Sequence, residues 1–195
     1  MTIGAADFSK TSKSEEQYTP REWWQRVIMV MGAIDVDPSS DPEMRIPAKV
    51  HYTKKENGLI QPWCSQDGGR IYCNPPFGHG VNEWFEKLRD EMAADRCVEA
   101  IILWKAALET KATRTLIHIP EYRISAVPKN RISFLGGKTE DKFPEKRSDG
   151  DVATFTPIFY YFGPHEEKFI RIFSPHCTLW KPLRVSKNQS LLVKS

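Results

Sequence analysis

The stretch "RIYCNPPFGHG", residues 70 to 80, combines a short strand with an abrupt stop. Its apolar run, Ile71 to Cys73, is rich in residues that favour β-strands. Pro75 and Pro76 then remove two backbone donors and fix two φ angles, so the strand must end in a stiff, extended segment. The stretch therefore predicts a buried strand whose carboxyl end holds a polar amide, Asn74, in a rigid position.

Residues 18 to 32, "YTPREWWQRVIMVMG", precede this strand and carry the boundary residues of a helix. Thr19 suits the N-cap, Pro20 the first helical position, and Glu22 the return bond of a capping box. Gly32 suits the C-terminal end, where a positive φ angle is common. Apolar residues recur on one broad stripe, by which the helix is expected to pack: Trp23, Trp24, Val27, Ile28 and Met31.

Helices and strands alternate along most of the remaining chain. The stretch "AIDVDPSSDP", residues 33 to 42, begins with a short alternating strand that ends at Asp37-Pro38 and so has carboxylates at its end. Residues 41 to 69 look irregular because of their prolines and turn sequences. This order predicts an α/β fold, a three-layer sandwich with a mostly parallel sheet, in which ligands bind beyond the carboxyl ends of the strands. The pattern predicts further helices at 81 to 95 and 109 to 119, and further strands at 98 to 105, 123 to 127, 131 to 135 and 157 to 163.

The composition is typical of a soluble globular protein. The 195 residues suit one domain, and a net charge of +3 is compatible with a nucleic-acid partner without strongly indicating one. No apolar run is long enough to span a membrane, and the N-terminus lacks the apolar middle of a signal peptide, so a cytoplasmic protein is expected. The cysteines lack the spacing of metal ligands and are interpreted as reduced, mostly buried thiols: Cys64, Cys73, Cys97 and Cys177.

Three regions are expected along the chain. Residues 1 to 17 are polar and aperiodic, which predicts a disordered extension, and residues 18 to 180 form the folded domain. Residues 181 to 195 form a basic tail without an acidic residue, and residues 128 to 151 predict a mobile, charged loop. Either charged segment could lie along a phosphate backbone, although a solvated surface is the commoner explanation for such charges.

The segment Asn74 to Phe77 has the groups needed to activate a planar exocyclic amine. The lone pair of such an amine is delocalised into its ring, so an enzyme that alkylates the nitrogen must accept hydrogen bonds from both of its hydrogens. The side-chain oxygen of Asn74 and the backbone carbonyl of Pro75 are two such acceptors, and preorganised acceptors stabilise the positive charge that develops. Phe77 would offer an apolar face for a flipped base. The plainer alternative is that the prolines merely end a strand and Phe77 belongs to the core.

Several segments, taken in order, resemble the phage-type DNA N6-adenine methyltransferases. "CNPPFG" resembles the [DNS]-P-P-[YF] signature of the amino-group methyltransferases, which follows a sheet strand. The resemblance covers roughly residues 18 to 163, and its ordered set is more specific than any segment besides NPPF. The other matching segments are "YTP" at 18 to 20, "IDVDPSS" at 34 to 40, "YTKKENGLIQPW" at 52 to 63, "AIILWKAALETKATRTLIH" at 100 to 118, "RISFLGG" at 131 to 137 and "TPIFYYFG" at 156 to 163.

The resemblance implies a Rossmann-like methyltransferase domain that uses S-adenosylmethionine, transfers a methyl group directly to adenine N6 in DNA, and needs no metal. It also implies a cytoplasmic phage or prophage product in a bacterial host. The implied catalytic residues are Asn74, Pro75, Pro76 and Phe77. The implied cofactor-binding residues are Tyr18, Thr19 and Pro20, the last two at the amino-acid end of the cofactor, and Asp35 or Asp37 at its ammonium or ribose hydroxyls. These two carboxylates alternate along a strand, so only one can face the cofactor, and Asp35 is preferred.

Some features depart from the family pattern and leave alternatives open. "DVDPSSDPEM" at 35 to 44 contains no glycine, whereas the cofactor loop of most methyltransferases is rich in glycine. The chain also has no room for a separate target-recognition domain. The same acceptor pair could hold cytosine N4 or a protein glutamine amide, and the chain could bind nucleic acid without turnover. His79 is expected to have no catalytic part, Trp63, Trp84 and Trp104 to lie in the core, and Lys105 to lie at the surface.

Overall fold

The structure, a computed structural model, describes residues 17–64, 68–78, 80–136 and 155–183. Four expectations fall on other parts of the chain: nearly all of the N-terminal extension, His79, most of the charged loop, and most of the basic tail lie outside the described residues.

The described residues form four helices and nine strands. The helices are α1 (Arg21–Met31), α2 (Val81–Ala93), α3 (Lys111–Ile117) and α4 (Glu166–Phe173). The strands are β1 (Gln17–Tyr18), β2 (Ile34–Asp37), β3 (Ala48–His51), β4 (Gly69–Cys73), β5 (Cys97–Lys105), β6 (Tyr122–Pro128), β7 (Leu135–Gly136), β8 (Pro157–Phe162) and β9 (Cys177–Trp180). Among the described residues, no helix has both the length and the apolar character that crossing a membrane requires.

Seven of these strands form one mixed sheet in the order β3-β2-β4-β5-β8-β6-β9. The four neighbouring strands β3, β2, β4 and β5 are parallel to one another. In contrast, β8 is antiparallel to both β5 and β6, and β9 is antiparallel to β6. The two remaining strands, β1 and β7, pair with each other. The α/β class is therefore confirmed and is compatible with a Rossmann-like fold, but only half of the sheet is parallel.

Two apolar clusters lie on the two sides of the sheet because successive side chains of a strand point to opposite faces. In β5, Ile101 and Leu103 belong to one cluster, which also holds side chains of α1 and α4. Ile102 and Trp104 belong to the other, which holds side chains of α2 and α3. The continuous apolar run of β5 thus reflects burial on both faces, as expected for a central strand.

Three local expectations are wrong. The N-cap of α1 is Pro20 without a side-chain cap, so Thr19 is not the N-cap and Glu22 closes no capping box. Residues 131 to 134 form no strand, although Ile132 and Phe134 are buried. The stretch at 41 to 69, expected to be irregular, contains β3, whose mostly part-exposed side chains hide the alternation that marks a strand. The C-terminal end at Gly32 is confirmed, since its N–H donates to the Ile28 carbonyl at a positive φ angle.

Candidate active site

The predicted site lies where the chain reverses direction across the sheet. After β2 the chain continues to β3 on one side, and after β4 it continues to β5 on the other. In open α/β sheets such a switch point leaves a crevice outside the carboxyl ends of the two strands, where ligands bind. A cavity of about 840 Å³ opens there, and its lining includes Gln17, Tyr18, Ser39, Asn74, Phe77 and Trp84.

The side-chain amide of Asn74 is held in one orientation. Its Nδ2 donates to the backbone carbonyl of Gln17 at 2.6 Å and to Thr19 Oγ1 at 3.2 Å. Because a carbonyl oxygen only accepts, the nitrogen must face Gln17 and the oxygen must face the other way. Asn74 Oδ1 is buried and has no hydrogen-bond partner among the described residues. Asn74 therefore presents one buried, unpaired acceptor at the end of β4.

A second layer of hydrogen bonds fixes this arrangement. Thr19 Oγ1 lies 2.6 Å from Tyr72 Oη, and both residues are buried. Burial raises the pKa of Tyr72 well above its usual value, so the phenol keeps its proton. On the backbone side, the N–H of Asn74 donates to Ser39 Oγ at 3.1 Å. The motif is thus anchored to β1, to the entry of α1 and to the loop after β2.

The rest of the NPPF motif is divided between core and surface. Pro75 is buried and Pro76 is exposed. Phe77 is half-buried, and its ring stacks on Trp104 with centroids 5.2 Å apart and an interplanar angle of 10°. The ring of Phe155 lies 4.5 Å from the Phe77 centroid at 37°. Phe77 therefore packs on core aromatics, as the plainer interpretation expected, and it also lines the cavity, where a base could reach it.

The carboxylate of Asp35 belongs to an ion-pair cluster near the first residues of β4. Both of its oxygens accept from the Arg70 guanidinium, Oδ2 also accepts from the Arg70 backbone N–H, and Lys49 Nζ lies 2.7 Å from Oδ1. The hydrogen bonds from Arg70 hold the pKa of Asp35 well below its usual range. This carboxylate joins β2, β3 and β4 and is not among the residues that line the cavity. The preference for Asp35 over Asp37 as the cofactor residue gains no support from this placement.

Asp37 lies at the carboxyl end of β2 and is nearly inaccessible, with 2% of its surface exposed. Its Oδ1 accepts from the Ser39 N–H at 3.2 Å. Burial raises the pKa of Asp37 to about 7, and the nearby Asp41 carboxylate acts in the same direction. A buried carboxyl that titrates near neutrality at a strand end suits a functional site, although Asp37 itself is not among the residues that line the cavity.

The loop after β2 has no glycine, but Gly58 from another segment packs closely against its backbone. A Cβ atom at Gly58 would lie 1.9 Å from the Pro38 carbonyl oxygen, so only glycine fits there. The Gly58 carbonyl in turn accepts from Trp63 Nε1 at 2.7 Å. The glycine and tryptophan of "GLIQPW" thus clamp residues 52 to 63 against the loop that begins at Pro38.

The other implied cofactor residues are only partly brought together. Tyr18 lines the cavity, and the guanidinium of Arg45 lies 4.7 Å from its ring centroid. Thr19 is turned toward Asn74 and Tyr72, and Pro20 is the N-cap of α1; neither is among the residues that line the cavity. Lys54 and Lys55, which the sequence did not single out, lie at the cavity and bring positive charge to it.

Sequence reasoning missed Gln17 and Ser39. Gln17 had been assigned to the disordered extension, but its backbone carbonyl orients Asn74 and its buried Oε1 lacks a partner among the described residues. Ser39 stands two residues beyond a carboxylate that ends a strand, and this position at the predicted ligand edge was the available signal. Within the described residues, no group of three or more His, Cys, Asp or Glu side chains is placed to hold a metal ion.

Comparison with known proteins adds no family assignment. No protein-family model matches the chain, and no curated protein matches it.

Proposed function

We propose that the protein transfers a methyl group from S-adenosylmethionine to the N6 amine of adenine in DNA. The observation that carries this proposal is the orientation of the Asn74 amide, whose nitrogen is bound to Gln17 and whose buried oxygen has no hydrogen-bond partner within the described part of the chain. Leaving such an acceptor unpaired costs about 1 to 3 kcal/mol, and an amine N–H of the substrate would remove that cost. The proposal includes the three-layer methyltransferase arrangement of the domain.

The proposed chemistry of the chain is to hold one amine and withdraw its lone pair from the ring. Asn74 Oδ1 accepts from one N–H, and the backbone carbonyl of Pro75 accepts from the other. Both acceptors are fixed before the substrate arrives, one by Gln17 and Thr19 and one by the proline ring, so little reorganisation is needed during the reaction. Phe77 stacks on one face of the base, which requires that the neighbouring Phe155 ring move aside.

The cavity fits a cofactor of this size and polarity. Its volume of about 840 Å³ falls in the usual range for small-molecule sites, roughly 300 to 1,000 Å³. The buried Gln17 Oε1 is a second acceptor without a partner among the residues that the structure describes, and it is suited to an ammonium or a hydroxyl group. Tyr18, Ser39 and Ser40 would hold the cofactor, which supplies an electrophilic methyl group when it is bound.

A nucleic-acid substrate is supported by charge at the mouth of the same cavity. Lys54 and Lys55 are exposed there, and lysine is a common partner for backbone phosphates. Neither residue reads a base, so they support affinity for DNA without specifying a sequence. Binding should therefore weaken steeply as salt increases.

The test is methyl transfer from tritiated cofactor to DNA, followed by digestion and chromatography of the nucleosides. Label in N6-methyldeoxyadenosine is expected. Label found only in cytosine or only in protein would contradict the adenine proposal. The substrate would then be cytosine N4 or a protein glutamine amide, which the same acceptors can hold. Asn74→Ala is the matched variant, expected to abolish turnover while leaving affinity for S-adenosylhomocysteine nearly unchanged, because the lost acceptor serves the amine.

A second candidate is a protein of this fold that binds nucleic acid without turnover. The observation that favours it is the loop after β2, which has no glycine and which follows a strand-end carboxylate, Asp37, that is buried. Calorimetry with S-adenosylhomocysteine separates the two candidates. Absence of binding heat at millimolar ligand, together with retained binding to DNA, would support the second candidate and overturn the first.

A further inference from the structure

A second cavity lies on another part of the domain and shares no residue with the candidate active site. Its volume is about 690 Å³, and it lies between the end of α3, the strands β6 and β8, and the segment that follows β9. Most of its wall is apolar and includes Leu108, Ile119, Val127, Ile158, Trp180 and Leu183. The volume falls within the range of small-molecule sites.

The apolar surface around this cavity is not fully buried. Trp180 is 61% exposed, Leu183 is 90% exposed, and Leu108, which also lines the cavity, is 54% exposed. An apolar ligand that covers such side chains removes apolar surface from water, which stabilises the complex by about 25 cal/mol per Å² of surface buried. The cavity therefore favours a ligand whose body is apolar.

Hydroxyl groups lie among these apolar walls. Tyr160 is 1% exposed, and its phenol oxygen has no hydrogen-bond partner among the described residues. Its neighbour Tyr122, with ring centroids 6.1 Å apart, shares a short hydrogen bond with Ser125. Burial raises the pKa of Tyr160 above its usual value, so the phenol keeps its proton and can donate.

The charges around the cavity favour a neutral ligand. Among the described residues that line the cavity, Lys181 is the one lysine or arginine, and its Nζ already lies 2.6 Å from Glu166 Oε1. His118, the remaining basic side chain of the lining, is exposed at the end of α3. A ligand charge brought to the buried hydroxyls would lack a close counter-ion, and burying an uncompensated charge is costly. A carbonyl oxygen accepts a hydrogen bond from a phenol without that cost.

We infer that this cavity is a binding site for a neutral, mainly apolar small molecule that carries a carbonyl oxygen, to which Tyr160 donates a hydrogen bond. The site does not depend on the proposed methyl transfer, because none of its residues lines the candidate active site.

The test compares two ligands that differ only in the acceptor: naphthalene and 2-acetylnaphthalene. Saturation-transfer NMR and calorimetry with the full chain are expected to show binding of both, with the ketone bound more tightly. Tyr160→Phe should weaken the ketone by about 2- to 12-fold, the contribution of one net hydrogen bond, and leave naphthalene unchanged. Ala106→Trp, which places a large ring at the cavity wall, should abolish binding of both ligands.

Three binding results would overturn the inference. They are absence of binding by either ligand up to its solubility, binding that is insensitive to Ala106→Trp, and a ketone preference that survives Tyr160→Phe. Folding is checked independently, because removing a buried hydroxyl that lacks a partner should leave the free energy of unfolding of Tyr160→Phe equal to or above that of the wild type. A clear loss of stability in this variant would show that the hydroxyl has a partner within the protein and would also overturn the inference.

Discussion

Asn74 Nδ2 lies 2.6 Å from the backbone carbonyl oxygen of Gln17, a residue that precedes it by 57 positions. This contact orients the amide, since a carbonyl can only accept and the amide nitrogen can only donate. The consequence is that Asn74 Oδ1 is the one group of this side chain left for a ligand. The orientation of the acceptor that is proposed to activate the amine therefore depends on Gln17, a residue with no proposed contact to the base.

Thr19→Val should separate positioning of Asn74 from contact with the cofactor. Valine keeps the shape of threonine but removes the hydroxyl that accepts from Asn74 and pairs with Tyr72. We expect turnover to fall about 10- to 100-fold, because the amide loses one of its two anchors, while affinity for S-adenosylhomocysteine stays within about 3-fold. Steady-state kinetics and calorimetry measure the two quantities, and Thr19→Ser should recover most of the turnover.

The opposite pattern has a clear meaning. Suppose that Thr19→Val lowers the affinity for S-adenosylhomocysteine as strongly as it lowers turnover. Thr19 would then contact the cofactor, as the resemblance of "YTP" to the family's Thr-Pro helix entry implies. Its role in orienting Asn74 would then be secondary.

Gly58→Ala should destabilise the protein. The added Cβ would lie 1.9 Å from the Pro38 carbonyl oxygen, and a backbone atom cannot move aside as a flexible side chain can. The expected loss in the free energy of unfolding is about 1 to 3 kcal/mol, as for other overpacked sites. Urea unfolding measures it, with Lys55→Ala as an exposed control in the same segment that should change stability by less than about 0.5 kcal/mol. Equal stability of both variants would mean that the two segments can separate without cost.

Local patterns predicted the elements that local physics determines. The prolines after Cys73 end β4 where expected, and the continuous apolar run of β5 correctly indicated burial on both faces. The stripe on α1 was nearly right, with Val30 buried and Ile28 only partly so. These features depend on neighbouring residues, which a sequence shows directly.

Local sequence patterns are least informative where a distant residue decides the outcome. Thr19 has the sequence position of an N-cap, but its hydroxyl is drawn to Tyr72, a residue 53 positions away. Asp35 looked suited to a ligand because it lies near a strand end, yet Arg70 and Lys49 from two neighbouring strands hold it. Both outcomes depend on which strands become neighbours, and no short stretch of sequence determines that.

Asp37 should make stability depend on pH near neutrality. Its pKa is about 7 in the folded protein, whereas an unfolded aspartate titrates near 3.9. The folded state therefore binds more protons between these values, and its stability falls as pH rises through this window and levels off above pH 7. Asp35, whose pKa is lowered, acts in the opposite direction and only below about pH 4.

Asp37→Asn removes this effect while keeping a side-chain oxygen for the Ser39 N–H. The unfolding free energy of the variant, relative to wild type, should rise by about 2 to 3 kcal/mol between pH 5 and pH 8, at roughly 1.4 kcal/mol per unit of pKa difference. Urea unfolding at both pH values measures it, and groups common to both proteins cancel in the difference. A difference independent of pH would show that the carboxyl of Asp37 ionises normally.

Asn74→Asp tests whether this chain can use the aspartate that the [DNS]-P-P-[YF] signature also allows. In this protein a carboxylate oxygen would replace the nitrogen that donates to Gln17, so two acceptors would meet at 2.6 Å. At pH 8 we expect turnover to be lost and the free energy of unfolding to fall by about 1 to 3 kcal/mol, the cost of buried acceptors left unpaired. Protonation restores a donor toward Gln17, so the deficit relative to wild type should shrink at pH 5. Urea unfolding at the two pH values measures this, with Asn74→Ala as the variant that introduces no charge. A variant as stable as wild type at pH 8 would mean that the Gln17 carbonyl moves freely and does not fix the orientation of Asn74.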